Sequence, residues 1–559
     1  MKIKNFIYVL ASALFVNTSC TKDFLDINDD PNKPTTAELN KVLTGAEYDV
    51  AMSFASGNYI GASLPSYIFH LTSREVDNYG LTASYSTLGN TWQQAYAYGL
   101  KNTNAVIKAA EAGDNQIYVG IGKLLKAYAF ANVTDLWGDV PYSQFDIESN
   151  YAPVADRSQD IYNSLIALID EGIGNLKNTE AANLIKPAAD DLIYNGNKDK
   201  WIRMGNTLKL KLLVQSRKAK SEITDWNGKL SALLNENNFM KSGEDFEFKH
   251  TKKDNPDERH RAYVDEYLGG QSTYYISPWI YETMSGMDLN VKDNPFVGIT
   301  DPRIPYYWVN QIKADGEAQN PTDYRNGGFV SIFFGSNASG ASNDQRQTST
   351  FIGIYPCGGK YDDGQGGKCD KSVGTGVAPE KMLQAYSVPF LLAELYLTGE
   401  ATGDAKAALT EGIKRSIAHV NSVSQAAKTE SATVPVISTE AIDDFINKVI
   451  AKYDAAASDA EKLRIVMTQK WIANFFNPVE AYSDIRRTGY PTLLPQNSQH
   501  AQSPFATSKV PELGPVQIPL KGINAFSRAL WYPTSEVTRN PNISNSGRNL
   551  AAPILFWDK

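Results

Sequence analysis

The sequence predicts a mainly α protein in which helices packed in pairs carry a large, loop-rich, irregular lobe. Three observations lead there: two blocks of helical apolar periodicity, a stretch crowded with Gly, Asn, Ser, Pro and Tyr between them, and a short apolar leader ahead of both. In the first block Ile117, Ile121, Leu124, Leu125 and Tyr128 share one helical face, as do Ile161, Leu165, Leu168, Ile169, Ile173 and Leu176. Trp201, Met204, Leu208 and Leu212 form a third stripe. The second block is expected to open at Pro379, as a first helical residue, and to continue through Leu395, Leu409, Ile413, Ile417 and Val420. Ile442, Phe445, Ile446, Val449, Ile450 and Tyr453 repeat the pattern, and Ser458 with Glu461 makes a capping box at the head of a last long helix. Helices joined by short turns suit an α-solenoid built from helical pairs.

Between the blocks the stretches "STYYISPWIYETM", "RIPYYWVN" and "NGGFVSIFFGSNASG" concentrate aromatic residues among turn formers. A structureless segment of that length does not sit in a compact domain, so it is expected to be a packed lobe whose loops carry function. The chain then divides into a signal peptide (1–19), a lipidated N-terminal linker (20–40), a first helical block (41–239), a loop-rich ligand-binding lobe (240–378) and a second helical block with the C-terminal segment (379–559).

The leader has Lys2 and Lys4 before an 11-residue apolar run, Phe6 to Val16, then small residues and Cys20. That is the layout of a secretory signal, too short for the about 20 apolar residues that a membrane span needs. Cleavage directly before Cys20 fits a bacterial lipoprotein, although Asn17 stands where an apolar residue is usual. Two or three acyl chains at ~0.8 kcal/mol per buried CH₂ would then tether the protein to a membrane. The segment after Cys20 is acidic and broken by Pro31 and Pro34, as a spacer should be. Asp26, Asn28 and Asp30 have calcium-loop spacing, but Pro31 occupies the position that needs a turn glycine. No cofactor is expected, and no structural calcium is indicated.

With 54 basic and 62 acidic residues the net charge is −8, a surface that repels nucleic acid. An exported chain meets an oxidising compartment, so the even pair Cys357 and Cys369, flanking "GGKYDDGQGGK", is expected to form a disulfide worth ~3 kcal/mol. Zinc is disfavoured there, because the chain has five histidines and none lies near the pair in sequence.

Three further stretches, "KAYAFANVTDLWGDVPYSQ" (126–144), "QKWIANFFNPVEAYSDIRRTGYPT" (469–492) and "SRALWYPTSEVTRNPN" (527–542), resemble the signatures of the SusD/RagB outer-membrane lipoproteins. "FLDINDDPN" and "FLLAELYL" match as well, so the resemblance spans nearly the whole mature chain. It implies a tetratricopeptide-like scaffold with an irregular binding lobe, lipid-anchored and facing the cell exterior. It also implies a partner, a TonB-dependent SusC-type barrel over which such a protein sits as a lid, passing on oligosaccharides or, in RagB-like members, peptides. The signature residues themselves read as structural: Gly138 and Pro141 end a helix, Trp137 packs, and Asp484 pairs with Arg486 or Arg487.

A receptor for a sugar chain needs aromatic planes beside groups that pair with hydroxyls. Arg74, Asp77, Asn78, Tyr79 and Trp92 bring those types together in one turn-rich stretch, in the region where the resemblance places an aromatic platform. Tyr274, Tyr275, Trp279, Tyr281 and Trp308 are expected to form an opposing wall. For each ring, ordinary packing is the competing role. Two or three stacked rings at roughly 1 kcal/mol each and several hydrogen bonds at about 1 predict affinities between millimolar and micromolar. The rival class, a surface glycoside hydrolase, finds acidic residues in plenty but no motif: there is no His-Glu-x-x-His, Gly-x-Ser-x-Gly or phosphate loop.

Overall fold

The computed structural model describes residues 38–57, 59–73, 86–147, 149–272, 274–289, 294–319, 324–332, 345–492 and 526–559. The signal peptide, Cys20 and the linker up to residue 37 lie outside the described residues. Periodic apolar stripes become helices because each stripe has a neighbour to bury against. The first block holds α1 (Leu39–Ser53), α2 (Tyr59–Tyr67), α3 (Ser86–Gln93) and α4 (Lys101–Ala112), with a π-helical turn (Gln94–Leu100) joining the last two. It continues with α5 (Gln116–Trp137), α6 (Ser158–Lys177), α7 (Lys198–Gln215) and α8 (Trp226–Glu236). Successive helices pack on one another: α4 on α5, α5 on α6, α6 on α7. Where α5 crosses α6, Gly120 and Gly172 let the backbones meet. A β-carbon at Gly120 would stand 2.7 Å from the Gly172 carbonyl oxygen.

The lobe is made of short pieces: α9 (Arg261–Tyr267), α10 (Pro278–Met284), α11 (Ile304–Tyr307) and α12 (Ile354–Cys357). The strands are β1 (Leu71–Ser73), β2 (Phe246–Phe248), β3 (Tyr274–Ile276), β4 (Trp308–Val309), β5 (Tyr324–Asn326), β6 (Phe329–Ser331), β7 (Phe351–Ile352) and β8 (Glu380–Leu383). They pair antiparallel in twos, β1 with β3, β2 with β8, β4 with β7 and β5 with β6. The pair β1–β3 staples the lobe to the first helical block, and β2–β8 joins its two ends.

The second block holds α13 (Ser387–Thr398), α14 (Ala405–Ala427), α15 (Thr439–Ala455), α16 (Asp459–Ala473), α17 (Pro478–Thr488) and the short α18 (Thr534–Val537). The helix expected from Pro379 starts later, at Ser387. Residues 380–383 are β8 instead, because all four are buried and serve as the pairing partner of β2, which outweighs local helix propensity. The capping box holds: Ser458 Oγ accepts from Glu461 N–H at 3.3 Å, while the Glu461 carboxylate accepts from Ala457 N–H at 2.6 Å. None of the described helices is long and apolar enough to cross a membrane.

The signature stretches interlock at the centre of the scaffold. Gly138 closes α5 with a positive φ of 85° and ψ of −118°, outside the left-handed helical region that a simple glycine cap uses. Trp137 is fully buried and donates its indole N–H to Trp531 O at 2.9 Å, and Leu530 N–H donates to Leu136 O at 2.8 Å. Asp484 pairs with Arg487 and, at 2.8 Å, with Lys470 on α16. Arg487 also binds Glu394 on α13, which accepts from Arg217 at 2.7 Å; Lys211 on α7 lies between Glu480 and Asp135. Among the described residues Arg486 pairs with no carboxylate; it donates to Asp135 O at 2.6 Å and Arg528 O at 2.7 Å. Five helices from both blocks are therefore joined by buried charges whose partners are in place, which is the condition for such groups to be tolerated.

The expected disulfide is not formed. Cys357 and Cys369 are both free thiols and both buried. Burial pushes the Cys369 thiol up to about 12, far from the thiolate that exchange chemistry needs. The loop between them is ordered by its own hydrogen bonds: Lys360 Nζ to Gly366 O at 2.5 Å, Gly364 N–H to Asp362 at 2.9 Å and Gly367 N–H to Gln311 O at 2.8 Å.

Candidate ligand-binding face

Arg74, Asp77, Asn78 and Tyr79 lie outside the described residues. Their point of departure does not. Ser73, the residue before Arg74, is opposite Tyr274 in the β1–β3 ladder, with Thr72 opposite Tyr275 and Leu71 opposite Ile276. Thr72 Oγ1 donates to Ile332 O at 3.2 Å, and Ser331 Oγ donates to Ile276 O at 2.6 Å. Residues far apart in sequence, from the first helical block and from two parts of the lobe, thus meet at one strand edge.

The rings of the expected wall are placed unequally. Tyr274 is half-buried and lines a pocket of about 280 Å³ with Leu71, Pro65, Ile352, Phe476, Asp265 and Glu266. Tyr275, Trp279 and Trp308 are 1%, 3% and 1% exposed and belong to the interior of the lobe. Tyr281, at 9%, stacks on Phe329 with ring centroids 3.7 Å apart, and Trp279 meets Phe69 edge-on at 4.4 Å. Such aromatic pairs contribute about 0.5–1.5 kcal/mol beyond the area they bury. Trp92, 7% exposed, sits against Tyr96 at 4.7 Å and edge-on to Trp137 at 5.3 Å, and its indole N–H donates to Glu536 at 3.2 Å. It borders an open cleft of about 700 Å³ shared with Asn90, Gln93, Glu536 and Arg539. Trp92, Tyr275, Trp279 and Trp308 are buried and Tyr281 is stacked on Phe329, while Tyr274 is half-buried.

A further cleft, of about 520 Å³, went unnoticed in the sequence. It lies between the β2 segment and α14 and is lined by Asp245, Glu247, Arg415, His419 and Tyr386. His419 Nε2 lies 3.0 Å from Glu247 and its Nδ1 3.2 Å from the Tyr355 hydroxyl, while Gln384 Nε2 donates to Glu247 at 3.2 Å. Asp245 accepts from Ala385 N–H at 2.8 Å. Burial holds the Asp245 carboxyl above its usual range; His419 opposes this and the like charge of Glu247 adds to it. The available signal was the alternation Asp245, Phe246, Glu247, Phe248, Lys249, a strand whose polar side faces outward. Among the described residues no group of three or more His, Cys, Asp or Glu side chains is arranged to hold a metal ion.

Paired helices bearing an irregular lobe of short strands are the architecture of tetratricopeptide-type binding scaffolds. The chain belongs to the SusD-like family, whose model, described as starch-binding associating with outer membrane, matches residues 31–509. Solved structures share the fold. A chitin-binding protein is 21% identical, with a TM-score of 0.66 over 93% of this chain and 100% of its own. A chitin-binding SusD homolog from Flavobacterium johnsoniae is 19% identical, with a TM-score of 0.63 over 92% and 98%. A SusD/RagB family protein from Bacteroides thetaiotaomicron is also 19% identical, with a TM-score of 0.63 over 94% and 99%. No curated protein matches the chain.

Proposed function

We propose that this chain is a non-catalytic, cell-surface lipoprotein, acylated on Cys20, that captures oligosaccharides and hands them as a lid to a TonB-dependent SusC-type transporter in the outer membrane. The observation that carries the reading is the pairing of Ser73 with Tyr274, which joins β1 to the lobe strand whose Tyr274 lines a pocket. Family membership supports the outer-membrane setting, and the chitin-binding names of two structural relatives support a glycan as cargo. Tyr274 supplies a ring flank, and Asp265 and Glu266 beside it supply acceptors for sugar hydroxyls. Weak capture suits the task, because a lid holds cargo at high effective concentration and tight binding would only slow release.

Calorimetry with a panel of neutral oligosaccharides, chitin and starch fragments included, tests the reading. At least one should bind between millimolar and micromolar, and Tyr274→Ala should weaken it tenfold or more. Binding of peptide pools in place of every glycan would overturn the cargo assignment, and new reducing ends after incubation would overturn the non-catalytic one.

A further inference from the structure

The cleft between the β2 segment and α14 carries two carboxylates, Asp245 and Glu247, on walls that also bear Lys249, His250, Arg415 and His419. Glu247 has His419 at 3.0 Å. Asp245 makes no ion pair among the described residues; its one hydrogen bond from elsewhere in the fold is the Ala385 N–H at 2.8 Å. Arg415 on the cleft wall is committed elsewhere: its Nε donates to Glu411 at 2.6 Å and its Nη1 to Met240 O at 3.1 Å and Ala385 O at 3.3 Å. A second and independent observation concerns Tyr386. It lines the same cleft, is 1% exposed, and its hydroxyl has no hydrogen-bond partner among the described residues. A buried hydroxyl without a partner is destabilising unless a polar group sits beside it.

We infer that this cleft is a second binding site, distinct in its residues from the Tyr274 edge, and that it takes a primary ammonium group carried on a sugar, as in an oligosaccharide of free 2-amino-2-deoxy units. An ammonium offers three donors and a full positive charge, which matches two carboxylates with a hydroxyl oxygen close by. Burial, with the like charge of Glu247, raises the Asp245 carboxyl against the opposing His419, and an added ammonium would relieve both. A metal ion fits less well, since no cluster of three ligands of the right kinds is present among the described residues. The volume of about 520 Å³ exceeds what a lone amine needs and suits a sugar unit or two. Ser242 and Ser422 on the walls offer hydroxyl partners for the rest of the ring. The inference rests on the glycan reading proposed above.

The test is calorimetry on the full mature chain with glucosamine oligomers, N-acetylglucosamine oligomers and a lysine-containing peptide. Glucosamine oligomers should bind, and Asp245→Asn should weaken them at least tenfold without changing the affinity for neutral glycans. Tyr386→Phe, which removes one oxygen and keeps the ring, should weaken them severalfold and guards against a folding defect in the first variant. Glucosamine oligomers that do not bind, or that bind Asp245→Asn as well as wild type, overturn the second site. A lysine peptide bound with the same dependence on Asp245 overturns the sugar assignment. Loss of neutral-glycan binding by wild type would instead strike the parent reading, so the two failures are told apart.

Discussion

Two regions of this molecule bury carboxylates, and they do so to opposite ends. Around α17, Glu480, Asp484, Glu394 and Asp135 each have a lysine or arginine within reach, and the group ties α5, α7, α13, α16 and α17 into one unit. In the cleft beside α14, Glu247 pairs with a histidine, and Asp245 makes no ion pair among the described residues. Satisfied burial makes a frame; unsatisfied burial leaves an opening for a ligand. The comparison explains how one chain can be rigid where the signature residues lie and receptive where they do not.

The largest effect should come from the frame. Arg487→Ala removes one of the two cations from Glu394 and from Asp484, leaving Arg217 and Lys470, in a fully buried position, and should cost about 3–5 kcal/mol, read as a shifted midpoint in denaturant unfolding. A cost below about 1 kcal/mol would mean that the network is not what holds the two blocks. Next is Trp92→Ala, which empties a packed site between Tyr96 and Trp137 and should cost about 3 kcal/mol while leaving glycan affinity within twofold. A tenfold loss of affinity in a variant of unchanged stability would return Trp92 to the ligand site.

His70 sharpens the contrast through pH. Its ring is fully buried, its Nε2 lies 3.0 Å from Trp471 O, and burial lowers it to about 3, while Trp471 O and Lys381 act as smaller opposing and reinforcing influences. The unfolded chain binds a proton near 6.5 and the folded one does not, so the contribution is complete above 6.5 and is lost as pH falls toward 3. Each pH unit below 6.5 should remove about 1.4 kcal/mol. His70→Gln should flatten that part of the stability profile, measured by urea unfolding at several pH values between 7.5 and 5. A wild-type profile that does not fall over that range would show that the ring is charged in the fold.

How much of this was legible in the sequence follows from the range of each interaction. The stripes of α5, α6, α14 and α15 repeat within a turn or two, so local order exposes them, and the Ser458 cap is a three-residue pattern. The strand at 380–383 was misread because its cause is β2, more than a hundred residues earlier. The rings of the lobe were ambiguous for a different reason: Tyr281 on Phe329 and Tyr274 at an open pocket are the same residue type in similar local surroundings, and burial alone separates them. The cleft escaped notice because His419 reaches Glu247 across 172 positions, while either residue alone looks like solvated surface.

Asp245→Asn carries the comparison to its smallest and most discriminating effect. In the frame, removing one charge strands another. In the cleft, Asp245 makes no ion pair among the described residues, and its backbone bond from Ala385 N–H survives, because an amide oxygen accepts as a carboxylate oxygen does. The neutral side chain also escapes the desolvation and the repulsion by Glu247 that raise the carboxyl. Stability should therefore change by less than about 1 kcal/mol, with a gain as acceptable as a loss. Denaturant unfolding at neutral pH decides it. A loss on the scale of Arg487→Ala would mean that Asp245 already has its counter-charge within the fold, and the cleft would then belong with the frame.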